Sequence, residues 1–151
     1  MLFLLFQLGS DFYALDASEI VEVLPLVNIR KSLSLPQQFA GTINYRGAFV
    51  PVVDLSELIL GRAAPRRTNT RIILARCATE DGKPMLLGLI AEKATATMRK
   101  EPADFVASGI SNDLAPYLGP IAMGPHGAVQ RFELNKLLPA FGRASQLKEP
   151  A

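Results

Sequence analysis

Short apolar runs separated by turn residues fill most of this chain. The turn signals are Gly9-Ser10-Asp11, Arg46-Gly47, Asp81-Gly82 and Gly124-Pro125-His126-Gly127. The runs that flank them are 2–8 and 12–15, the two parts of 43–53, 71–77 and 85–91, and 118–123 and 128–132. Runs of this length on either side of such turns are typical of paired strands. The pattern therefore predicts a mainly β protein built as small barrels or a sandwich.

The stretch Gly41–Leu55 contains the most informative of these turns. Ile43–Val53 is predicted to form two strands joined at Arg46-Gly47, and no other charged side chain lies between Gly41 and Val53. Pro51 has no backbone donor, so its strand is expected to lie at an edge or to break there. A lone cation at the tip of an apolar hairpin has no catalytic chemistry of its own and indicates a docking surface.

Two short sequences carry the start signal of a helix. In Asp16-Ala17-Ser18-Glu19 and in Asp54-Leu55-Ser56-Glu57, an acidic capping residue precedes a glutamate by three positions. The first leads into the β-branched run Ile20–Leu24, which favours one helical turn followed by a strand. The second predicts a short helix over Leu55–Leu60 that ends at Gly61.

A polar segment, residues 62–70, lacks apolar periodicity and is predicted to be the boundary between two subdomains of one domain, 1–144. The other predicted segments are a weak strand over Ala94–Arg99, a loop-rich stretch over 101–117, a short helix over Leu134–Leu138 before Pro139, and a flexible polar tail over 145–151.

The composition limits the functional classes. Among 151 residues, 49% are hydrophobic and 20% are charged, which predicts a globular protein. The single Cys77 and the single His126 exclude an internal disulfide and leave too few ligands for a Cys/His zinc site. A Ser/His/Asp triad would have to recruit His126 from a turn, so neither enzymatic activity nor a cofactor is predicted. No run approaches the roughly 18 apolar residues of a membrane span.

A basic cluster leaves one alternative function open. The cluster consists of Arg62, Arg66, Arg67, Arg71 and Arg76. No aromatic residue lies among these arginines and the net charge is only +2, so a solvated loop or a contact with an acidic partner is favoured over a nucleic-acid site. A small β-barrel that binds nucleic acid is the alternative.

Several segments, in a fixed order, carry a family resemblance. They are Phe6-Gln7-Leu8-Gly9, Tyr13-Ala14-Leu15-Asp16, Ile20 to Val23, Gly41 to Gly47, Val50 to Leu55, Leu87 to Ile90, and Leu134 to Leu138. The most specific pattern is Asn-x-Arg-Gly-x-x-x-Pro-x-x-Asp-Leu, which begins at Asn44. From Leu2 to about Leu138, the chain resembles the CheW-type chemosensory coupling proteins.

This resemblance implies a fold of two SH3-like five-stranded β-barrel subdomains with a shared hydrophobic seam and short helices. It implies a non-catalytic adaptor that links the cytoplasmic tip of methyl-accepting chemoreceptors to the regulatory domain of a CheA-type histidine kinase. The expected location is the cytoplasm, at membrane-bound receptor arrays, without insertion into the membrane and without a nucleic-acid partner.

The resemblance also assigns residues to partner binding. Arg46 matches the motif arginine that is linked in the family to receptor and kinase coupling. Asn44 and Gly47 match its neighbours, and Gly41 matches a glycine that enters the motif. Ile20 matches an apolar position of the receptor-facing groove.

Other positions depart from the family pattern. Arg71, Ala94 and Thr97 fall where the family usually has aliphatic residues near the receptor-facing groove, which predicts a smaller and more polar groove with a different choice of partner. Gln130 and Arg131 stand where the family usually has an aliphatic run that ends in an acid. These departures favour a coupling protein of a non-flagellar pathway, such as surface sensing or twitching.

Overall fold

The computed structural model describes residues 1–31, 34–79, 81–107 and 114–141. The strands are β1 (Leu2–Leu8), β2 (Asp11–Asp16), β3 (Ile20–Pro25), β4 (Gly41–Tyr45), β5 (Ala48–Asp54), β6 (Thr70–Ala78), β7 (Pro84–Arg99), β8 (Leu118–Gly124) and β9 (Gly127–Phe132). The helix α1 covers Leu55–Leu60, residues 137–141 are also α-helical, and short 3₁₀ turns cover Ala17–Glu19, Pro102–Asp104 and Leu134–Lys136. The predicted mainly β fold with short helices is confirmed.

The strands pair into one network with β7 at its centre. Their order is β3-β6-β7-β1-β2-β9-β8, and the β4–β5 hairpin joins this order where β5 pairs with β7. The first part of β7 pairs with β6 and β5, and together with β3 and β4 these form one set of five strands. The last part of β7 pairs with β1, and together with β2, β9 and β8 these form a second set. Two five-stranded units that share a strand are what the two-barrel prediction requires.

A bulge at Lys93 carries β7 from one strand set to the other. Leu5 pairs with Ala96 whereas Gln7 pairs with Glu92, so the pairing of β1 with β7 shifts between them. The backbone of Lys93 has a φ of 51°, a left-handed conformation that a lysine rarely adopts. A bulge bends and twists a strand without ending it. The predicted segments Met85–Ala91 and Ala94–Arg99 therefore form one continuous strand rather than two.

Strand pairing crosses the segment 62–70. β6 follows this segment but pairs with β3, which precedes it. β1 and β2, at the start of the chain, pair with β7 and β9 from the later part. The boundary predicted there assumed that each subdomain forms from consecutive strands. The pairing instead groups β1 and β2 with the C-terminal strands, so 62–70 does not separate the two strand sets.

A shared apolar core fills the seam between the strand sets. Phe6 and Leu15 from the second set lie in one buried cluster with Leu55, Leu89 and Phe132. Each of these side chains is at most 1% exposed. Since full burial of one such side chain contributes about 1.5–3 kcal/mol, this seam is a main source of stability for both sets. Two smaller clusters lie within the individual sets, around Ile72 in the first and Phe3 in the second.

The capping predictions are confirmed at both helix starts. Asp16 Oδ1 accepts a hydrogen bond from Ser18 N at 3.0 Å. Asp54 Oδ1 accepts from Ser56 N at 3.0 Å and from Glu57 N at 3.2 Å, and its Oδ2 accepts from Ala64 N at 2.9 Å. Asp54 is 7% exposed, so it holds both the start of α1 and the segment after it from a buried position. Gly61 ends α1 with a φ of 78°.

The remaining predictions concern a helix, a loop and a tail in the C-terminal part of the chain. The helix predicted over Leu134–Leu138 continues past Pro139, because residues 137–141 are α-helical and a proline is tolerated in the first turn of a helix. Within the predicted loop 101–117, residues 108–113 lie outside the described part of the chain, as does the predicted tail 145–151.

Candidate functional site

The tip of the β4–β5 hairpin is a tight two-residue turn. Arg46 and Gly47 have φ values of 50° and 85°, and the flanking residues Tyr45 and Ala48 pair with each other. Positive φ at both central residues is the geometry whose twist matches the flanking strands. Asn44 Oδ1 accepts a hydrogen bond from Gly47 N at 3.0 Å and so holds the turn closed. The turn therefore fixes the position from which the Arg46 side chain leaves the hairpin.

The Arg46 side chain lies over an aromatic ring that is itself held in place. The guanidinium carbon is 5.2 Å from the centroid of the Tyr45 ring, within the range of a cation–π contact. The Tyr45 hydroxyl donates a hydrogen bond of 2.8 Å to Glu22 Oε2 of β3. This bond is the largest cause of a raised pKa at Tyr45, because losing the proton would place two negative oxygens together. Arg46 itself is exposed, so the arrangement presents an oriented cation to solvent.

An exposed aromatic residue beside the turn adds an apolar group to the hairpin tip. Phe49 pairs with Asn44 across the hairpin and is 73% exposed, while the next residue, Val50, is 2% exposed. A phenylalanine this exposed on a short strand is unusual, and such side chains often mark contact sites. Phe49 is not among the residues predicted to bind a partner. Successive side chains of a strand point to opposite faces, so the buried Val50 places Phe49 on the outer face.

Pro51 lies where the neighbours of β5 change. It pairs with Thr42 of β4, and β5 begins to pair with β7 only at the next residue, Val52. At Pro51, β5 is therefore an edge on the side that faces β7, which confirms the first of the two predicted alternatives.

Gly41 is required by the close approach of another backbone segment. Its φ is 153°, and a Cβ at this position would lie 2.4 Å from the carbonyl oxygen of Arg30. Arg30 and Thr42 exchange backbone hydrogen bonds of 2.9 Å and 2.8 Å at this point. Gly41 thus positions the base of the hairpin, at the opposite end of β4 from Arg46.

The four residues assigned to the groove do not converge on one surface. Ile20 is half-buried and packs against the shared core, and Ala94 is 3% exposed within that core, so Ala94 has no surface to offer a partner in this conformation. The Arg71 guanidinium donates to the backbone carbonyls of Thr68 and Thr70, which places it against its own loop. Thr97 is exposed on the second strand set.

A cavity of about 440 Å³ lies where β7 bulges away from β1. Thr97 and Lys93 of β7 line it together with Phe12 and His126, whose rings stack with centroids 5.4 Å apart. Ile20, Arg71 and Ala94 are not among its lining residues. The cavity is largely apolar, so of the predicted groove residues it is Thr97 that borders an apolar concave surface.

The departures at Gln130 and Arg131 have local structural partners. Gln130 Nε2 donates to the Gly119 carbonyl at 3.0 Å, across a shift in the pairing of β8 with β9. The Arg131 guanidinium carbon lies 5.3 Å from the centroid of the Phe3 ring and 5.9 Å from that of Phe105. Both side chains therefore contribute to the second strand set, which forms without the aliphatic run that the family pattern predicts.

Cys77 and His126 lie in contrasting surroundings. Cys77 is buried, and burial, followed by the nearby charge of Glu19, raises the pKa of its thiol to about 11. His126 is exposed and stacks on Phe12. Among the residues that the structure describes, no three His, Cys, Asp or Glu side chains converge as metal ligands. Over the same ranges, no helix is both long and apolar enough to cross a membrane.

The fold and the hairpin agree with a match to a known family. The family model described as the CheW-like domain matches residues 2–140. The chain belongs to the CheW-like family. This match covers both strand sets and the Asn44–Gly47 turn, so the resemblance predicted from the sequence is confirmed.

Comparisons with individual CheW proteins support the same assignment. The chemotaxis protein CheW of Klebsiella aerogenes is 27% identical to this chain over 97 residues, which is 60% of this chain and 58% of that protein. The alignment thus spans less than two thirds of the relative. The crystal structure of the scaffolding protein TtCheW from Thermoanaerobacter tengcongensis has a TM-score of 0.74 and 22% sequence identity, over 89% of this chain and 84% of that chain. The latter likeness establishes the CheW fold of two SH3-like β subdomains.

Proposed function

We propose that this CheW-like chain is a non-catalytic adaptor that couples methyl-accepting chemoreceptors to a CheA-type histidine kinase. The observation that carries the proposal is the hairpin tip, where a closed turn, a hydrogen-bonded tyrosine and an exposed Phe49 surround an oriented Arg46. Membership of the CheW-like family supports the choice of partners. The site of action is then the cytoplasm, where membrane-bound receptors recruit the protein.

The chemistry of the tip suits recognition of a protein surface. A guanidinium donates several hydrogen bonds in a fixed plane, so it pairs with a carboxylate or with backbone carbonyls in a defined orientation. Because the turn and the Tyr45 ring already restrict Arg46, binding loses less side-chain entropy than it would with a free arginine. Phe49 adds an apolar group of the kind that is enriched at the centres of interfaces.

Co-elution on size exclusion with the regulatory domain of the cognate kinase, and separately with a receptor-tip fragment, tests the proposal. We expect the wild-type chain to form a complex, and Arg46→Glu to weaken binding of at least one partner by about 30-fold or more, the effect of losing one hot-spot residue. The matched control is Arg76→Glu, because Arg76 is also exposed but lies on β6, which pairs with neither strand of the hairpin. The stability of both variants should stay within about 0.5 kcal/mol of the wild type.

The complex that Arg46→Glu fails to form identifies the partner that Arg46 contacts. Loss of the kinase complex alone places Arg46 at the kinase, and loss of the receptor complex alone places it at the receptor. Equal binding by wild type, Arg46→Glu and Arg76→Glu contradicts the role of the tip. Absence of any complex at low salt and high concentration contradicts the adaptor function. Nucleic-acid binding, the alternative function, would then be tested.

We further propose that the chain serves a non-flagellar pathway. The support is that Arg71 and Thr97, which are not buried, stand where the family pattern has aliphatic residues near the receptor-facing groove. Deletion of the gene should impair twitching or surface responses and leave swimming chemotaxis intact. Loss of swimming chemotaxis with normal surface behaviour would contradict this assignment.

A further inference from the structure

A polar pocket with an excess of positive charge lies where the two strand sets meet. Its volume is about 280 Å³. The β1–β2 turn, helix α1 with the segment after it, and the β7 bulge each contribute to the wall. The lining residues are Gln7, Gly9, Ser56, Arg62, Pro65, Arg67, Glu92 and Lys93. Three cationic side chains from two separate segments therefore share a pocket with one carboxylate.

The three cations have no carboxylate partner in the described part of the chain. The ion pairs within 4.0 Å there join Met1 to Glu101 and Lys136 to Glu133. Arg62, Arg67 and Lys93 are exposed. Glu92 lines the same pocket and is 9% exposed, and it forms no ion pair of this length with any of the three. The pocket thus keeps a net positive charge, which Glu92 offsets only in part.

The backbone around these cations is fixed. Ala64 N donates to the buried Asp54 carboxylate at 2.9 Å, and Arg67 N donates to Thr70 Oγ1 at 3.2 Å. Lys93 N donates to the Asn69 carbonyl at 2.9 Å, which ties the bulge to the same segment. A segment that the sequence predicts to be a solvated loop is therefore held on both sides of its arginines, and the pocket is preorganised.

The absence of a side chain at Gly9 leaves room for one of the guanidinium groups. A Cβ on Gly9 would lie 3.4 Å from Arg62 Nη2, so this guanidinium packs directly against the turn between β1 and β2. Arg62 follows α1 in the first strand set, whereas the turn belongs to the second. An anion bound by Arg62, Arg67 and Lys93 would then join the two sets.

We propose that this pocket, formed by Arg62, Arg67 and Lys93, is a binding site for a phosphate group. Two guanidinium groups and an ammonium supply the hydrogen-bond donors and the positive charge that a phosphate dianion requires. Ser56 and Gln7 also line the pocket, and each carries a neutral hydrogen-bond donor. The phosphate is either the free ion or part of a small phosphomonoester, and the binding experiment separates these two sources.

Titration with inorganic phosphate and with glycerol 3-phosphate at constant ionic strength, followed by amide chemical shifts, tests the site. We expect saturable shifts confined to the β1–β2 turn, residues 62–70 and the β7 bulge. Tighter binding of the ester identifies a phosphomonoester as the ligand, and equal or tighter binding of inorganic phosphate identifies the free ion. Absence of saturable shifts with both ligands overturns the proposal.

Matched variants separate a pocket from a general basic surface. Arg62→Gln and Arg67→Gln should each weaken binding about tenfold, whereas Arg66→Gln should not, because Arg66 is exposed but does not line the pocket. Glu92→Gln should strengthen binding, since it removes the carboxylate that faces the anion. An equal loss of affinity in Arg66→Gln and Arg67→Gln, or weaker binding in Glu92→Gln, would show that the anion is held by nonspecific electrostatic attraction. Either result would overturn the proposal.

Discussion

The Tyr45 hydroxyl donates a 2.8 Å hydrogen bond to Glu22, which ties the tip of the β4–β5 hairpin to strand β3. This bond is the first cause of the raised pKa of Tyr45. A raised pKa means that the folded state favours the neutral phenol. The stabilisation is therefore complete below the ordinary tyrosine pKa of about 10 and is lost as the pH rises through the folded value.

Tyr45→Phe should remove this alkaline contribution. We expect the variant to lose less stability than the wild type between pH 9 and pH 11, by roughly the amount that the hydrogen bond supplies. Denaturant midpoints across that range measure the difference. Glu22→Gln serves as the companion variant, because it removes the charge that the phenolate would meet. Parallel pH profiles for wild type and Tyr45→Phe would contradict the link.

Asp54 and Asp16 cap similar turns from different environments. Asp54 is buried and accepts three backbone hydrogen bonds, whereas Asp16 is partly exposed and holds one turn. Asp54→Ala should cost about 2–4 kcal/mol, because it removes a cap and leaves the buried Ala64 N–H without its acceptor. Asp16→Ala should cost about 0.5–1 kcal/mol. Chemical denaturation measures both, and equal costs would contradict the role of burial.

Gly41 and Gly47 both have positive φ, but their surroundings differ. A Cβ at Gly41 would lie 2.4 Å from the Arg30 carbonyl oxygen, whereas a Cβ at Gly47 would meet nothing within 4 Å. Gly41→Ala should therefore cost about 3–5 kcal/mol through strain and displaced backbone, and Gly47→Ala about 1–2 kcal/mol through strain alone. Unfolding midpoints of the two alanine variants test the difference. A smaller effect at Gly41 than at Gly47 would show that the strand pair relaxes freely.

Cys77 should react slowly with disulfide reagents in the folded protein. Its pKa of about 11 leaves about one part in a thousand as thiolate at pH 8, compared with roughly a quarter for an ordinary cysteine. We expect a rate at least about 100-fold below that of the chain unfolded in denaturant. Because the folded pKa is raised, the thiol stabilises the fold below pH 9, and this contribution is lost as the pH rises through about 11. Equal rates in the folded and unfolded chains would contradict the burial of this thiol.

Local chemistry explains why so much of the fold could be predicted from the sequence. The Arg46-Gly47 and Asp81-Gly82 turns lie between strands as predicted, because Gly47 and Gly82 supply a positive φ from within each turn. The caps at Asp16 and Asp54 follow from the same logic, since each side chain bonds to a backbone N–H two or three residues later. Such signals do not depend on the rest of the molecule.

The features that escaped prediction depend on distant parts of the chain. Lys93 adopts a left-handed conformation because β7 must pass from one strand set to the other, and nothing within its own segment signals this. Ala94 lies in the core rather than at a groove for the same reason. The pairing of β2 with β9 joins segments more than a hundred residues apart, and the local composition around 62–70 carries no signal of it. The roles of Arg46, Asn44 and Gly47 in partner binding stay predictions.

The shared strand β7 sets an order on the folding of a newly made chain. β1 and β2 pair with each other, yet their outer neighbours β7 and β9 follow much later, so this apolar hairpin leaves the ribosome with both outer edges unpaired. The first strand set is complete once β7 emerges, and its last residues then offer β1 an edge on which to pair. The second set closes only when β9 has been made. The β1–β2 hairpin therefore depends on strands made much later for its burial, and truncation before β9 would leave the first strands exposed to aggregation.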